Sequence, residues 1–262
     1  MKSKMMTTPL QRIFTIDIGG TGVKAALVNG DGLLLEGQVR CPTPRNATPA
    51  QMLDAIAGLA GSFPAFEAIS IGFPGAIKHN IIHTAPNLGT NLWRGVDFSA
   101  LVEARFNCPT RLANDATMHG LGLIAGEGIE VVLTLGTGMG FALFRDGVPA
   151  PQIELGRHTA GEAPTYDDFV GDAAFLELGE VAWKQRVQQT IQRLVSLVNF
   201  DTLYLGGGNA RHFSASELVP GVRLATNEAG LAGGARLWHE DVGSALRYKT
   251  DHVRVLVSPP LE

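Results

Sequence analysis

Cysteine is scarce in this chain: Cys41 and Cys108 are the only two, far apart and without CxxC spacing. Neither a disulfide framework nor a cysteine zinc site is expected, and a reducing cytosol is the natural compartment. Charge of one sign is also missing. The 21 Lys and Arg against 25 Asp and Glu give a formal net charge of −4 and a pI near 6.0, so nothing global favours nucleic acid or an anionic membrane. An anionic ligand must therefore be held by a local site. No 18-residue apolar run offers a membrane span, and the opening MKSKMMTTPLQR lacks the apolar centre of a secretion signal. The expectation is a cytoplasmic protein that binds neither membrane nor nucleic acid. With 262 residues, 45% of them hydrophobic, the chain can bury a sizeable core in one or two domains.

What is present begins with FTIDIGGTGVKAALVNGDG, Phe14 to Gly32. Phe14, Ile16 and Ile18 alternate with Thr15 and Asp17 at the strand period, and Val23 to Val28 is a second apolar run before the Asn29-Gly30 turn signal. The turn between them is rich in glycine. Gly19, Gly20 and Gly22 allow backbone N–H groups to point into one concavity, with the Thr21 hydroxyl and the Lys24 cation beside it, which suits a phosphate. An ordinary glycine hairpin with a surface lysine reads the same way. The pattern recurs in VVLTLGTGMGFALFRDG, Val131 to Gly147, with Asp17 opposite Thr134 and Thr21 opposite Thr137. Two copies of one α/β unit, with two phosphate-facing turns across a cleft, are expected; chance likeness of two glycine hairpins is the alternative.

The rest of the chain alternates strands and helices. Strands are expected at Leu33 to Val39, Ala68 to Phe73, Thr110 to Ala113 and from Asp201 into Gly206 to Gly208, and helices near Pro49 to Ala60, Phe98 to Phe106 and Asp115 to Ala125. One long helix or two fill Gly171 to Asn199, where Val187, Ile191, Leu194, Val195 and Val198 form an apolar stripe that belongs to a core. A loop leading to a helix covers Ala225 to Trp238. This is an α/β protein, with ligands expected where strand ends meet loops. Asn114 and Asp115 fall on such an end, at a helix start, where Asp115 reads equally as an N-terminal cap. Glu154 and His158 share the loop IELGRH, where solvated polar side chains are the plainer reading. Neither GxxxxGK[ST] nor GxGxxG is present.

Eight ordered motifs resemble one family. DIGGTGVK (Asp17 to Lys24), GFPG (Gly72 to Gly75), PNL (Pro86 to Leu88), WRGVDF (Trp93 to Phe98), LANDA (Leu112 to Ala116), LGTGMG (Leu135 to Gly140), ELG (Glu154 to Gly156) and LGGGNA (Leu205 to Ala210) are similar to those of ROK-family sugar kinases. The likeness is greatest to the polyphosphate-glucokinase-like branch and runs from about residue 13 to 240. It implies two similar actin-like, ribonuclease H-like α/β domains around a central cleft, drawn here as 1–112 and 113–262. It also implies phosphoryl transfer from ATP or polyphosphate to a hexose hydroxyl, glucose to glucose 6-phosphate, in a homodimer. Such transfer is mostly positioning and charge neutralisation, with one base for the hydroxyl proton.

Carried onto this sequence, the resemblance makes Asp115 that base. Gly75, Asn87, Asn114, Glu154 and His158 would hold sugar hydroxyls, each of which both donates and accepts. Asp17 would stand near Mg²⁺, through water. Gly19, Gly20, Thr21, Gly22 and Lys24, with Gly136, Thr137 and Gly138, would hold donor phosphates, while Gly206, Gly207 and Gly208, with Gly233 and Gly234, would let backbone approach an adenosine. Two departures stand out. The family's cysteine-rich zinc motif has no counterpart after Cys108, so no structural zinc is expected, and Arg157 intervenes before His158 where the family reads Glu-x-Gly-His. Lys24, Arg145, Arg157 and Lys184 are the candidates for a basic track along a polyphosphate. A sugar-responsive repressor of the family would need a helix-turn-helix ahead of the first strand, where only about twelve residues stand. A non-catalytic sugar- or nucleotide-binding module is the remaining alternative.

Overall fold

The computed structural model describes residues 10–161, 163–225 and 229–246. The opening segment read for a secretion signal lies mostly outside these residues, as do the outer ends of the two expected domains. Phe14, Ile16 and Ile18 build β1 (Ile13–Ile18), which pairs antiparallel with β2 (Gly22–Val28), and β2 with β3 (Leu34–Pro42). Helix α1 (Pro49–Ala60) starts where Thr48 accepts from the Gln51 N–H and Gln51 reaches back to the Thr48 N–H; Pro49 takes the first helical position. All six residues of β4 (Ala68–Phe73) are buried, as suits a strand parallel to β1 and covered on both faces. A small hairpin follows, β5 (Ile77–Lys78) and β6 (Ile81–Ile82), then α2 (Thr90–Trp93), α3 (Phe98–Phe106) and β7 (Thr110–Asn114), parallel to β4.

Helix α4 (Asp115–Leu121) is shorter than its pattern suggests. Beyond it, the N–H groups of Ala125, Gly126 and Glu127 donate to the buried Glu130 carboxylate at 2.7, 2.8 and 3.2 Å, and the Tyr204 hydroxyl donates to the same group. Those amides are satisfied by a side chain, so no further helical turn is needed.

The second half repeats the plan with β8 (Ile129–Leu135), β9 (Met139–Arg145), β10 (Val148–Pro149), α5 (Tyr166–Val170), α6 (Asp172–Val198), β11 (Thr202–Gly206), β12 (Val222–Leu224), α7 (Ala229–Arg236) and α8 (Glu240–Leu246). The first sheet is ordered β3-β2-β1-β4-β7 and the second β10-β9-β8-β11-β12. In each, three antiparallel strands are followed by two parallel ones, so the repeated hairpin marks a repeated unit. The long helical run breaks at Gly179, whose φ of 75° is closed to an α-helix. Val187, Ile191 and Leu194 of its stripe are buried, whereas Val195 is exposed at the stripe's edge. No described helix is long and apolar enough to cross a membrane.

Chain order and packing part company at α7. It lies on β1 and α4, with Ser70 Oγ donating to the Gly234 carbonyl at 2.7 Å and Trp238 Nε1 donating to Ser70 Oγ at 2.8 Å. Gly233 and Gly234 do not open a path to a ligand, as their motif suggested: a Cβ on Gly233 would stand 1.9 Å from the Met118 carbonyl oxygen, and one on Gly234 2.4 Å from Thr15 Cγ2. Their missing side chains let the helix seat. Gly234→Ala should therefore cost about 1–3 kcal/mol of stability by overpacking, whereas Gly37→Ala, with nothing within 4 Å of the new carbon, should leave the melting temperature nearly unchanged. Differential scanning calorimetry of the two variants checks this.

Candidate active site

Parallel strands bring their C-terminal ends to one edge, and here β1, β4 and β7 deliver Asp17, the Phe73-Pro74-Gly75 turn and Asn114-Asp115 side by side. These ends border a central cavity of about 490 Å³ whose opposite wall comes from the β8–β9 turn and the loop after β10. On the first wall, Gly19 N–H donates to Gly22 O at 2.9 Å and Thr43 Oγ1 to Gly19 O at 2.6 Å, which holds the glycine turn shut. On the second, Gly136 N–H donates to Gly138 O at 3.0 Å, and Met139 N–H to Asp167 Oδ1 at 2.8 Å. A Cβ on Gly138 would meet that same carboxylate oxygen at 2.5 Å. Asp167 thus shapes the second turn, a role hidden in the sequence, where it is one of two aspartates at a helix start.

The capping question at Asp115 has a direct answer. Asn114 is the cap, its Oδ1 accepting from the Thr117 N–H at 3.2 Å, while its Nδ2 donates to Asp115 Oδ1 at 3.0 Å and to the Gly75 carbonyl at 3.3 Å. Asp115 also accepts from the Ala116 N–H at 2.8 Å. Burial, then the negative charges of Asp17 and Glu154, push the Asp115 carboxyl up to about 7, against the pull of its N–H donors. Burial also raises Asp17, opposed by Lys24, whose Nζ is 3.9 Å from Asp17 Oδ2. Glu154 is raised by burial and by Asp167, opposed by a hydrogen bond from Gln152 and the charge of Arg157. One turn after Asp115, burial and Lys24 lower the His119 imidazole to about 4, so it is neutral near pH 7.

Fourteen of the residues given a sugar, donor-phosphate or metal role from the sequence line this cavity: Asp17, Gly19, Gly20, Lys24, Gly75, Asn87, Asn114, Asp115, Gly136, Thr137, Gly138, Glu154, Gly207 and Gly208. Thr21, Gly22, Gly206 and His158 stand outside the lining. Thr21 is exposed, and Gly22 opens β2. Gly206 makes room for His119, whose Nε2 would be 3.2 Å from a Cβ there. The His158 N–H donates to Leu155 O and its carbonyl accepts from the Tyr166 N–H, with the side chain in solvent. Arg157 lines the cavity in its stead, 3.4 Å from Asp167. Of the other basic candidates, Lys184 is held by Glu180 and Glu217 at 2.9 Å each, and Arg145 sits by Asp146. Neither lines the cavity, so among the described residues its cationic side chains are Lys24 and Arg157.

The lining carries Asp17, Asp115, Glu154, Asp167 and Asp168 against the cations Lys24 and Arg157. Among the described residues, no three His, Cys, Asp or Glu side chains are grouped to hold a metal. The partly exposed Asp17 carboxylate beside the first glycine turn suits Mg²⁺, which keeps most of its waters and takes one or two carboxylates plus phosphate oxygens.

Beyond this geometry, the family model described as "ROK family" matches residues 13–163. The chain belongs to the ROK family. The polyphosphate glucokinase of Mycobacterium tuberculosis strain H37Rv is 28% identical over 241 residues, 85% of this chain and 89% of that protein. That of Mycobacterium leprae is 29% identical over 257 residues, 90% of this chain and 77% of the other. Among solved structures, the inorganic polyphosphate/ATP-glucomannokinase of Arthrobacter sp. strain KM matches with a TM-score of 0.75 at 31% identity, over 86% of this chain and 97% of that one. A ROK family glucokinase from Streptomyces griseus, solved with glucose and AMPPNP, shares the fold at 19% identity, with a TM-score of 0.68 over 86% of this chain and 98% of that one. The paired sheets are those of the actin-like sugar kinases, and the enzyme class is that of a glucokinase-type hexose kinase.

The raised Asp115 carboxyl has a thermodynamic consequence. Its folded-state value near 7 lies above its unfolded value, so the folded protein holds the proton longer, and this group's contribution makes stability fall as pH rises from about 4 to about 7. Asp115→Asn removes the ionisation. The variant should melt above the parent at pH 8, with the gap closing towards pH 4; a gap that is constant with pH would show the carboxyl to be unperturbed.

Proposed function

We propose that this kinase transfers a phosphoryl group from a Mg²⁺-bound donor, ATP or polyphosphate, to a hexose hydroxyl, glucose to glucose 6-phosphate, with Asp115 as general base. The observation that carries this reading is the Asp115 carboxyl: relieved of capping by Asn114, it faces the cavity between two glycine turns, with an affinity for protons matched to neutral pH. A base must give up its proton first, then take one from the attacking hydroxyl; near pH 7 it does both. Gly75, Asn87, Asn114 and Glu154 supply the amide, carbonyl and carboxylate groups that a polyhydroxylated ring needs. The turns at Gly19–Gly20 and Gly136–Gly138, with Lys24, face the donor phosphates.

Mg²⁺, held through water by Asp17, would neutralise the donor's charge. In a lining with five carboxylates and two cations among the described residues, that neutralisation would serve either donor. The relatives' names support both donors, and Gly207 and Gly208 in the lining leave space for a nucleotide. The chain would divide into the units 1–112 and 113–262 and work in the cytoplasm as a homodimer. A non-catalytic binding module would need none of the proton chemistry built around Asp115. A coupled assay crossing hexoses with ATP and polyphosphate separates the two, and no turnover with any pair would favour the module.

Replacing Asp115 by Asn should lower kcat by roughly 10²- to 10⁴-fold while glucose binding survives, and the parent's kcat/KM should rise with pH through about 7, the range to which Asp115 is shifted. A variant that turns over like the parent would sink the assignment. Asp17→Ala should lower activity and move the Mg²⁺ titration to higher concentrations; an unchanged titration would leave Asp17 only its place in the hairpin.

A further inference from the structure

Gln152 carries no signal in the sequence, yet its side-chain amide is almost fully used. Its Oε1 accepts from the Ile77 N–H at 3.0 Å, and its Nε2 donates to the Gly75 carbonyl at 2.9 Å and to Glu154 Oε1. The first partner opens β5 and the second lies in the loop just before it, after β4; the third is the acid of the opposite wall. That loop has no slack, because a Cβ on Gly75 would stand 1.9 Å from the Thr84 carbonyl oxygen. The same Gly75 carbonyl accepts from Asn114, so one oxygen joins the cap beside the base to the amide beside Glu154.

Gln152 does not line the central cavity. It lines a second one, also of about 490 Å³, that lies behind the first and shares Asn114 and Glu154 with it as a common wall. Contact with a ligand in the central cavity therefore falls to Glu154 and Gly75, and Gln152 acts through them.

We propose that Gln152 is a positioning residue for sugar recognition, tying the loop after β4 to Glu154 so that the two walls present their sugar-binding groups as one unit. This rests on reading the cavity as a hexose site. Its physical content is a single donor. Glu154 faces Asp115 from α4, Asp167 from α5 and Arg157 from its own turn, while Lys78, His79 and His83 of the β5–β6 hairpin border the second cavity behind it. In that crowd of acids, the Gln152 N–H aims one Glu154 oxygen and keeps the carboxylate ionised to lower pH.

The test uses Gln152→Met, which keeps the length and removes every hydrogen bond, and Gln152→Glu, which keeps an acceptor for Ile77 N–H but has no N–H to give. Both should raise the glucose KM about tenfold or more, the scale of one hydrogen bond to a charged group, with the donor KM within about twofold. Glucose binding measured by calorimetry in an Asp115→Asn background, where the base no longer titrates, should lose its acid side at a higher pH in both variants. An unmoved glucose affinity and midpoint in both variants would overturn the proposal, as would equal losses for glucose and donor. Carboxyl ¹³C NMR of Glu154 in parent and variants decides the pairing even if no hexose is turned over: its titration midpoint should rise in both, and an unchanged midpoint sinks the Gln152 role independently of the kinase reading.

Discussion

The site depends on keeping one carboxyl, Asp115, out of water and close to two other acids. Burial and the charges of Asp17 and Glu154 all oppose its ionisation, against the backbone N–H groups of Ala116 and of Asp115 itself, while Asn114 Nδ2 also donates to the carboxylate. A carboxylate in that position destabilises the fold at neutral pH, and a helix start would ordinarily use such a residue for its own ends. Asn114 removes that second demand by capping α4 itself. The acid is left with a proton affinity near neutral pH.

Around that constraint the architecture follows from duplication. Two sheets of the same plan place two glycine turns on opposite walls of one cavity, and strand ends supply Asp17 and Asp115 between them. The walls are not independent. Helix α7, from late in the chain, is seated on β1 through glycines 233 and 234, and Gln152 bonds the loop after β4 to the loop after β10.

Among the described residues, the cavity lining sets Lys24 and Arg157 against the five carboxylates of Asp17, Asp115, Glu154, Asp167 and Asp168. Lys184 and Arg145, plausible in the sequence as further cations, are committed to carboxylates elsewhere on the surface. Kinship with kinases named for polyphosphate thus coexists with a cavity in which, among the described residues, carboxylates outnumber basic side chains.

Local patterns were enough to determine the long strands, the two glycine turns, the helix that begins at Asp115 and the identity of the acids at strand ends, though not β10 or β12. Each depends on hydrophobic period, on glycine's freedom or on residues a few positions apart. The family motifs added the chemistry because they preserve those short patterns in order. Only the tertiary structure decided which groups share the cavity. It moved Arg157 in and left His158 out, turned Gly233, Gly234 and Gly206 from ligand-facing positions into clearances for Met118, Thr15 and His119, and brought Gln152 to Gly75 across 77 residues of chain. Such contacts arise from the order of strands in the sheets and the seating of helices upon them, and no short window of sequence carries that information.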